Sequence, residues 1–304
     1  MFTNKKEGGS ATLLTIFLSA IIITIGIGFN WLVKENLKSA EGLKLKSEAM
    51  LNAHSAFDNL IFSILTGKMT QKEYVVQNGE GYFIANNIPL NGEYVKAKNG
   101  VLLSIRDTNG MLSLTSLNEL ALKRLIGLSR EDAAGIIDSY LDWIDRDRFA
   151  RINGAEEFYY NSERLPYTPR NYPIQYKEEF ALIKGMNKEL YKKIERYITI
   201  LPSIGFNPNT ASEEVLMAYL DIDRDAVKSL KDYMIQKPVS SDMELFALAG
   251  RRIVLDEGVN FYPSPFLEIT IKAGIPEPIY TIHVGIDTRQ NLNFPYSVIY
   301  WRED

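Results

Sequence analysis

Carboxylates carry most of the chemistry this chain could perform. In "DSYLDWIDRDRFARINGAEEFYY", Asp138 to Tyr160, Asp138, Asp142 and Asp145 recur at i, i+4 and i+7, which aligns them on one face of a helix. Asp147, Asn153, Glu156 and Glu157 then crowd a loop that contains Gly154. Calcium takes six to eight oxygen ligands, and a flexible acidic loop can supply them. The spacing is not that of an EF-hand. Two readings are open at this point: a calcium site, or a solvated acidic helix end neutralised by Arg146, Arg148 and Arg151.

Other chemistries find little footing. The chain has no cysteine, which excludes disulfides and thiolate chemistry. His54 and His283 are its only two histidines, and both fall in segments that read as structural, one helical and one extended. A nucleophilic triad would need one of them. No Gly-rich phosphate loop or zinc-ligand spacing occurs, and paired carboxylates on acidic helices do not define a glycosidase. The chain reads as non-enzymatic. Lys and Arg total 34 against 38 Asp and Glu, a net charge of −4, so no nucleic-acid surface is expected from the overall balance.

The elements that must position the carboxylates begin at a membrane segment. Ala11 to Val33 contains no Asp, Glu, Lys or Arg over 23 residues, and at about 1.5 Å per residue a helix of that length spans a hydrocarbon core of roughly 30 Å. Lys5 and Lys6 precede it and are expected to stay cytoplasmic, with everything after Val33 on the far side. The pattern then turns amphipathic without a proline before Pro89, so one helix is expected from about Thr12 to about Leu65. Strand-like runs follow in "EYVVQ", "GYFIANN", "EYVKAK" and "VLLSIRD", with a further hairpin signature in "DTNGMLSL". From Thr115 to about Leu255 the pattern is helical. Strands return in "FLEITIKAG", "PIYTIHVGID" and "YSVIYWRE". The final strands are too few for a core of their own, so both parts must share one sheet.

The helical block holds three similar segments: "LKRLIGLSREDAAGII", "FALIKGMNKELYKKI" and "VLMAYLDIDRDAVKSL". Each reads as helix, tight turn, helix, and the last follows "FNPNTASEEVL", an opening like the "NxNTAS" of competence-type DNA-binding proteins. DNA binding is therefore the rival reading. Phosphate capture by such a hairpin uses backbone amides between glycines, with basic neighbours. Gly127 and Gly185 match the first glycine, but Ser129 and Asn187 replace the second, and Asp221 and Asp223 would repel a phosphate. Between Thr115 and Val254, 20 Lys and Arg face 22 Asp and Glu. Packing units of a helical domain are the preferred reading.

Two sets of residues carry a family resemblance. The basic leader, Gly9 and the intact helix after it resemble the class III leader of type IV pilins and pseudopilins. "LDWIDRDRFARINGAEEFYY", the proline-rich crossing into "EEFALIKG", "FNPNTASEEVL" and the "VIYWR" ending then closely resemble the K subunit of type II secretion, a minor pseudopilin. The resemblance implies an α+β, pilin-like fold in which a long N-terminal transmembrane helix packs on an antiparallel sheet interrupted by a large all-helical insertion of helix-hairpin-helix-like (SAM-like) units. Its expected parts are a leader at 1–9, a transmembrane helix at 10–33, a pilin-like domain at 34–114 and 255–304, and the insertion at 115–254. It also implies a single-pass inner-membrane subunit with a periplasmic C-terminal domain, placed at the tip of a pseudopilus. Expected partners are the I and J minor pseudopilins, the major pseudopilus subunit and the prepilin peptidase, with a type IV pilus or competence minor pilin as the alternative. The family's calcium binding makes Asp145, Asp147, Asn153, Glu156 and Glu157 candidate ligands of a structural Ca2+. Two departures stand out. "GMLSLTSL" replaces an asparagine-rich core, and Leu14 takes the fifth mature position, where most pilin-like subunits carry glutamate. A membrane-buried carboxylate needs a partner already present, so its replacement suits a subunit placed first.

The leader reading predicts cleavage between Gly9 and Ser10, with Gly8/Gly9 as the second register, and methylation of the new amino terminus. Gly9→Leu is expected to leave the leader attached. Mass spectrometry of the membrane-bound protein checks this; an N-terminus beyond the apolar segment would refute the pilin-type leader.

Overall fold

A computed structural model describes residues 10–76, 83, 86–128, 133–250, 258–275, 277–289 and 293–304. Helix α1, Ser10–Thr66, runs for 57 residues, close to the span expected from sequence. At about 1.5 Å per residue it is roughly 85 Å long. Ala11–Thr66 contains a stretch long and apolar enough to cross a membrane, and nothing in the protein buries that stretch. The helix remains exposed on all sides from Lys34 to Glu48. Only then does a buried stripe appear, in Ala49, Ala53, Ala56, Phe57, Leu60, Ile61 and Ile64. These positions recur with the helical period, and the three alanines let the helix lie close to what it covers.

What it covers is a sheet. Strands β1 (Lys68–Met69), β2 (Glu73–Val75) and β3 (Asn87–Pro89) form a small antiparallel sheet beside the helix end. Strands β4 (Val95–Lys96) and β5 (Leu102–Asp107) begin the main one. The expected strand "GYFIANN" contributes only Asn87 to β3 and a bridge from Phe83 to Ala97, and its residues 81–82 and 84–85 lie outside the described set. "DTNGMLSL" is not a hairpin. Thr108–Gly110 forms a 3-10 turn whose Asn109 N–H is accepted by the Asp107 side chain, and β6 (Leu112–Ser113) then leaves the main sheet.

The helical block follows: α2 (Glu119–Gly127), α3 (Ala133–Ile144), α4 (Glu157–Ser162), α5 (Lys188–Ile194), strand β7 (Ile198–Thr199), α6 (Glu213–Leu220), α7 (Arg224–Gln236) and α8 (Asp242–Ala249). β6 pairs with β7 in parallel. Asn118, Asn187, Ser212, Asp223 and Ser241 start their helices by accepting a first-turn backbone N–H. Two of the three similar segments hold helix pairs, α2–α3 and α6–α7, the residues 129–132 between the first pair, Ser129 among them, lying outside the described set; the middle one opens with a 3-10 turn, Lys177–Leu182. Gly185 has φ +85 and faces Ile136, so its turn serves packing. The block has its own core, with Leu122, Tyr140, Phe180, Leu190, Leu216 and Leu230 among its buried side chains.

Strands β8 (Phe266–Ala273), β9 (Tyr280–Asp287) and β10 (Ser297–Glu303) complete the main sheet in the order β10-β9-β8-β5-β4, antiparallel throughout. Leu103 and Ile105 on β5 stand opposite Ile271 and Ile269 on β8, so the sheet closes across the helical block, as the strand count required. Leu267, Ile269, Ile271 and Ala273 alternate inward to a second core that includes the α1 stripe. His54 stacks on Trp301, and His283 lies beside Thr270 and Asp304.

One carboxylate fastens the block to the sheet. Asp107, the last residue of β5, is 1% exposed. One of its oxygens accepts the N–H groups of Asn109 (3.0 Å) and Ser264 (2.7 Å). The other accepts Asn207 Nδ2 (3.0 Å) and Thr210 Oγ1 (2.8 Å). Asn209 pairs in both directions with the backbone of Val239. The "NPNTAS" segment is thus internal to the fold, with Asn207, Asn209 and Thr210 all buried, which disfavours the DNA-binding reading. Gly110 is required here because a Cβ would stand 2.4 Å from Thr210 Oγ1.

Burial pushes the Asp107 carboxyl up to about 6, against the pull of its four hydrogen bonds. The folded state therefore holds this proton more tightly than the unfolded chain. Its contribution is fully present below the ordinary carboxyl value of 3.8 and is lost as pH rises through about 6. Asp107→Asn would present an NH2 group to donors. It is expected to destabilise the protein by about 2–4 kcal/mol and to flatten this part of the pH profile, read by thermal melts of the detergent-solubilised chain between pH 4 and 7.

Candidate metal centre

The acidic segment is organised by its arginine and its glycine. Helix α3 carries Asp138 and Asp142 on one side, Asp145 follows directly after its last residue, and the chain then turns back along them. Asp142, wholly buried, accepts Arg151 N–H and Nη1, the latter at 2.7 Å. Arg151 Nη1 also reaches Asp145 Oδ2. Asp138 Oδ2 takes the backbone N–H and side-chain amide of Asn153 at 3.1 and 3.0 Å. At Gly154 a Cβ would stand 1.9 Å from Asp142 Oδ2, so only glycine lets the loop pass this carboxylate. Lys184 Nζ holds the carbonyls of Asn153 and Gly154 and lies over the Tyr159 ring. Asn171 joins the Trp143 carbonyl to that of Asp147.

These anchors leave three carboxylates facing one another. Oxygens of Asp145, Asp147 and Glu156 all lie within 4.8 Å of each other. Glu156 is 6% exposed, and both of its oxygens, with Asp145 Oδ1, are buried without a hydrogen-bond partner. Burial raises the Glu156 pKa first, then the charges of Asp142 and Asp145; the adjacent Glu157 N–H pulls the other way, and Asp147 adds a smaller push upward. Arg151 pairs with Asp142 and Asp145 and makes no ion pair with Asp147 or Glu156. Unpaired buried carboxylate oxygens aimed at one point are what a hard cation requires, and an all-oxygen donor set fits calcium.

The structure thus unites three of the five candidate ligands. Asn153 turns its amide to Asp138, and Glu157 sits exposed in the first turn of α4, outside the three-carboxylate cluster. Asp142 and Arg151, which shape the site, were not among the candidates. Their signal was present in the i, i+4 spacing of Asp138 and Asp142 and in the single glycine that passes them. Neither histidine approaches the cluster.

Residues 105–203, which include the whole acidic segment, match the family model described as type II secretion system (T2SS), protein K. Type II secretion system protein K of Aeromonas hydrophila is 20% identical over 315 residues, covering 95% of this chain and 92% of that protein. The protein of the same name from Pectobacterium carotovorum subsp. carotovorum is 28% identical over 123 residues, 39% of this chain and 37% of its own. Residues 105–203 thus match a protein K domain, and along most of its length the chain is similar to type II secretion protein K. Its fold is similar to that of a chain in the crystal structure of the GspK-GspI-GspJ complex from enterotoxigenic Escherichia coli. The TM-score is 0.55 at 16% identity, covering 89% of this chain and 99% of that one. The protein K family is one of pseudopilins, which are structural components of the secretion system.

Glu156→Gln tests the repulsion directly. Raising the pKa of a buried carboxyl makes folding stability greatest at low pH and erodes it as pH rises through the folded-state value. In chelator, the Gln variant is expected to melt higher than the wild type at pH 7 and to lose part of the stabilisation on acidification. Equal melting at pH 7 would show that Glu156 bears no such strain.

Proposed function

We propose that this chain is a minor pseudopilin at the tip of a type II secretion pseudopilus, anchored once in the inner membrane with its C-terminal domain in the periplasm. The observation that carries this reading is the helical block inserted between β5 and β8 in a family whose solved relative is named in a complex with GspI and GspJ. A block of that size, seated at the top of the α1-packed sheet, would obstruct a further subunit above it. Leu14 supports the same placement, since the helix brings no carboxylate into the membrane that an earlier subunit would have to meet. The expected partners are I- and J-type minor pseudopilins below it, with the major subunit further down and the prepilin peptidase acting on the leader. Co-expression with its own I and J homologues tests the assignment: a stable 1:1:1 complex is the expected outcome, and homotypic filaments of this chain alone would contradict a capping role.

The same reading includes a structural Ca2+ held by Asp145, Asp147 and Glu156. The ion would supply charge compensation and tie the end of α3 to the start of α4. Melts of the detergent-solubilised chain in calcium, magnesium or chelator check this. Calcium at a hundredfold excess over its dissociation constant is expected to add about 2.7 kcal/mol, and magnesium much less, because it demands a tighter octahedron. Terbium luminescence sensitised by Trp143, two residues from Asp145, offers a direct readout. Glu156→Gln should abolish both signals; identical melts in all three conditions would refute the site.

A further inference from the structure

Outside α1, nearly complete exposure of a large apolar side chain is rare here, and it is concentrated. Phe149 is 84% exposed, Ile152 99% and Phe158 85%, all within ten residues. Burying such side chains is favourable, and clustered exposed apolar groups mark interaction surfaces. Two contacts bring the three together. The carboxylates of Asp147 and Glu156 lie within 4.8 Å, which joins the segment bearing Phe149 to the one bearing Phe158. Lys184 touches the Gly154 carbonyl and the Tyr159 ring, which brings the Ile152 turn beside the start of α4.

The segment is not a loose loop tip. Asp142 holds Arg151, Asp138 holds Asn153, and Asn171 holds the Asp147 carbonyl, all by protein groups alone. A surface already ordered loses less conformational entropy on docking. Its charge narrows the partner. Arg146 and Arg148 are exposed and make no salt bridge among the described residues, while Arg151 is engaged with Asp142 and Asp145. Interspersed with them are exposed Asp147 and Glu157, which would repel the phosphates of an anionic bilayer. A polypeptide can place its carboxylates opposite the two arginines and avoid the acids; a lipid surface has no such choice.

We propose that Phe149, Ile152 and Phe158 form a docking surface for a protein segment whose apolar side chains are flanked by Asp or Glu, which meet Arg146 and Arg148. This goes beyond the capping role and does not depend on a bound cation.

The test is photo-crosslinking of the full chain in the cells that make it. p-Benzoylphenylalanine is placed at 149, 152 and 158, with Met243, 82% exposed on α8, as the control position. The expected result is an adduct from the three positions, and not from 243, to one polypeptide segment in which acidic residues flank apolar ones. Arg146→Glu with Arg148→Glu should lower its yield by about tenfold, whereas the double Lys variant should retain it. Both pairs are solvent-exposed substitutions, and unchanged melting confirms that the fold is kept. The proposal is overturned by adducts to phospholipid, by adducts to a segment without acidic residues, by a yield that charge reversal leaves unmoved, or by no adduct above the control.

Discussion

The Asp107 carboxylate is the constraint on which the architecture turns. The sheet has to be left after β5 and regained at β8, and the whole helical block hangs between those points. A buried charge with four donors fixes the geometry of both crossings at once, because Asn109 lies just after the departure and Ser264 just before the return. Asn207 and Thr210 bring in a third part of the chain, from within the block. A neutral residue of the same size could satisfy at most part of this set. The fold accepts an expensive desolvated carboxyl in exchange for a specified docking angle.

The acidic segment solves the opposite problem with the same residue type. At Asp107 one carboxylate is surrounded by donors. At the end of α3, Asp142, Asp145, Asp147 and Glu156 converge with one arginine between them, and Glu156 is left without a donor. Arg151 and Asp142 position the loop by themselves, so its shape needs no bound ion. The remaining oxygens of Asp145, Asp147 and Glu156 are thereby held close together by the protein alone.

Much of this was legible in the sequence, and what was missed has a common cause. The helix of Ser10–Thr66, the shared sheet and the helical block follow from periodicity, composition and strand count, which are local or additive signals. The acidic segment was legible as a location. Its membership was not, because whether Asn153 faces a cation or Asp138 depends on where Gly154 lets the chain turn. "DTNG" misled for a related reason: Asn-Gly is a hairpin signal only when the following strand returns to the same sheet, and here Leu112 and Ser113 leave it to pair with Ile198 and Thr199. "NPNTAS" carried the look of a ligand-binding opening but is spent on internal contacts, which no single-segment pattern could distinguish.

The β5–β8 pairing also sets an order of events. Ile105 meets Ile269, 164 positions later, so the central ladder of the sheet is among the least local contacts in the molecule. An open loop of that length would be slow to close. The helical block has a core of its own, in which α2 packs on α6 and β6 pairs with β7, and its two ends lie side by side at Asp107 and Ser264. Until the last strands arrive, β5 has only β4 beside it and its β8 edge stays open, with the apolar stripe from Ala49 to Ile64 only partly covered in the meantime. That interval is when this subunit is most exposed to aggregation and to proteases, and its length is set by how fast the block between the two strands folds.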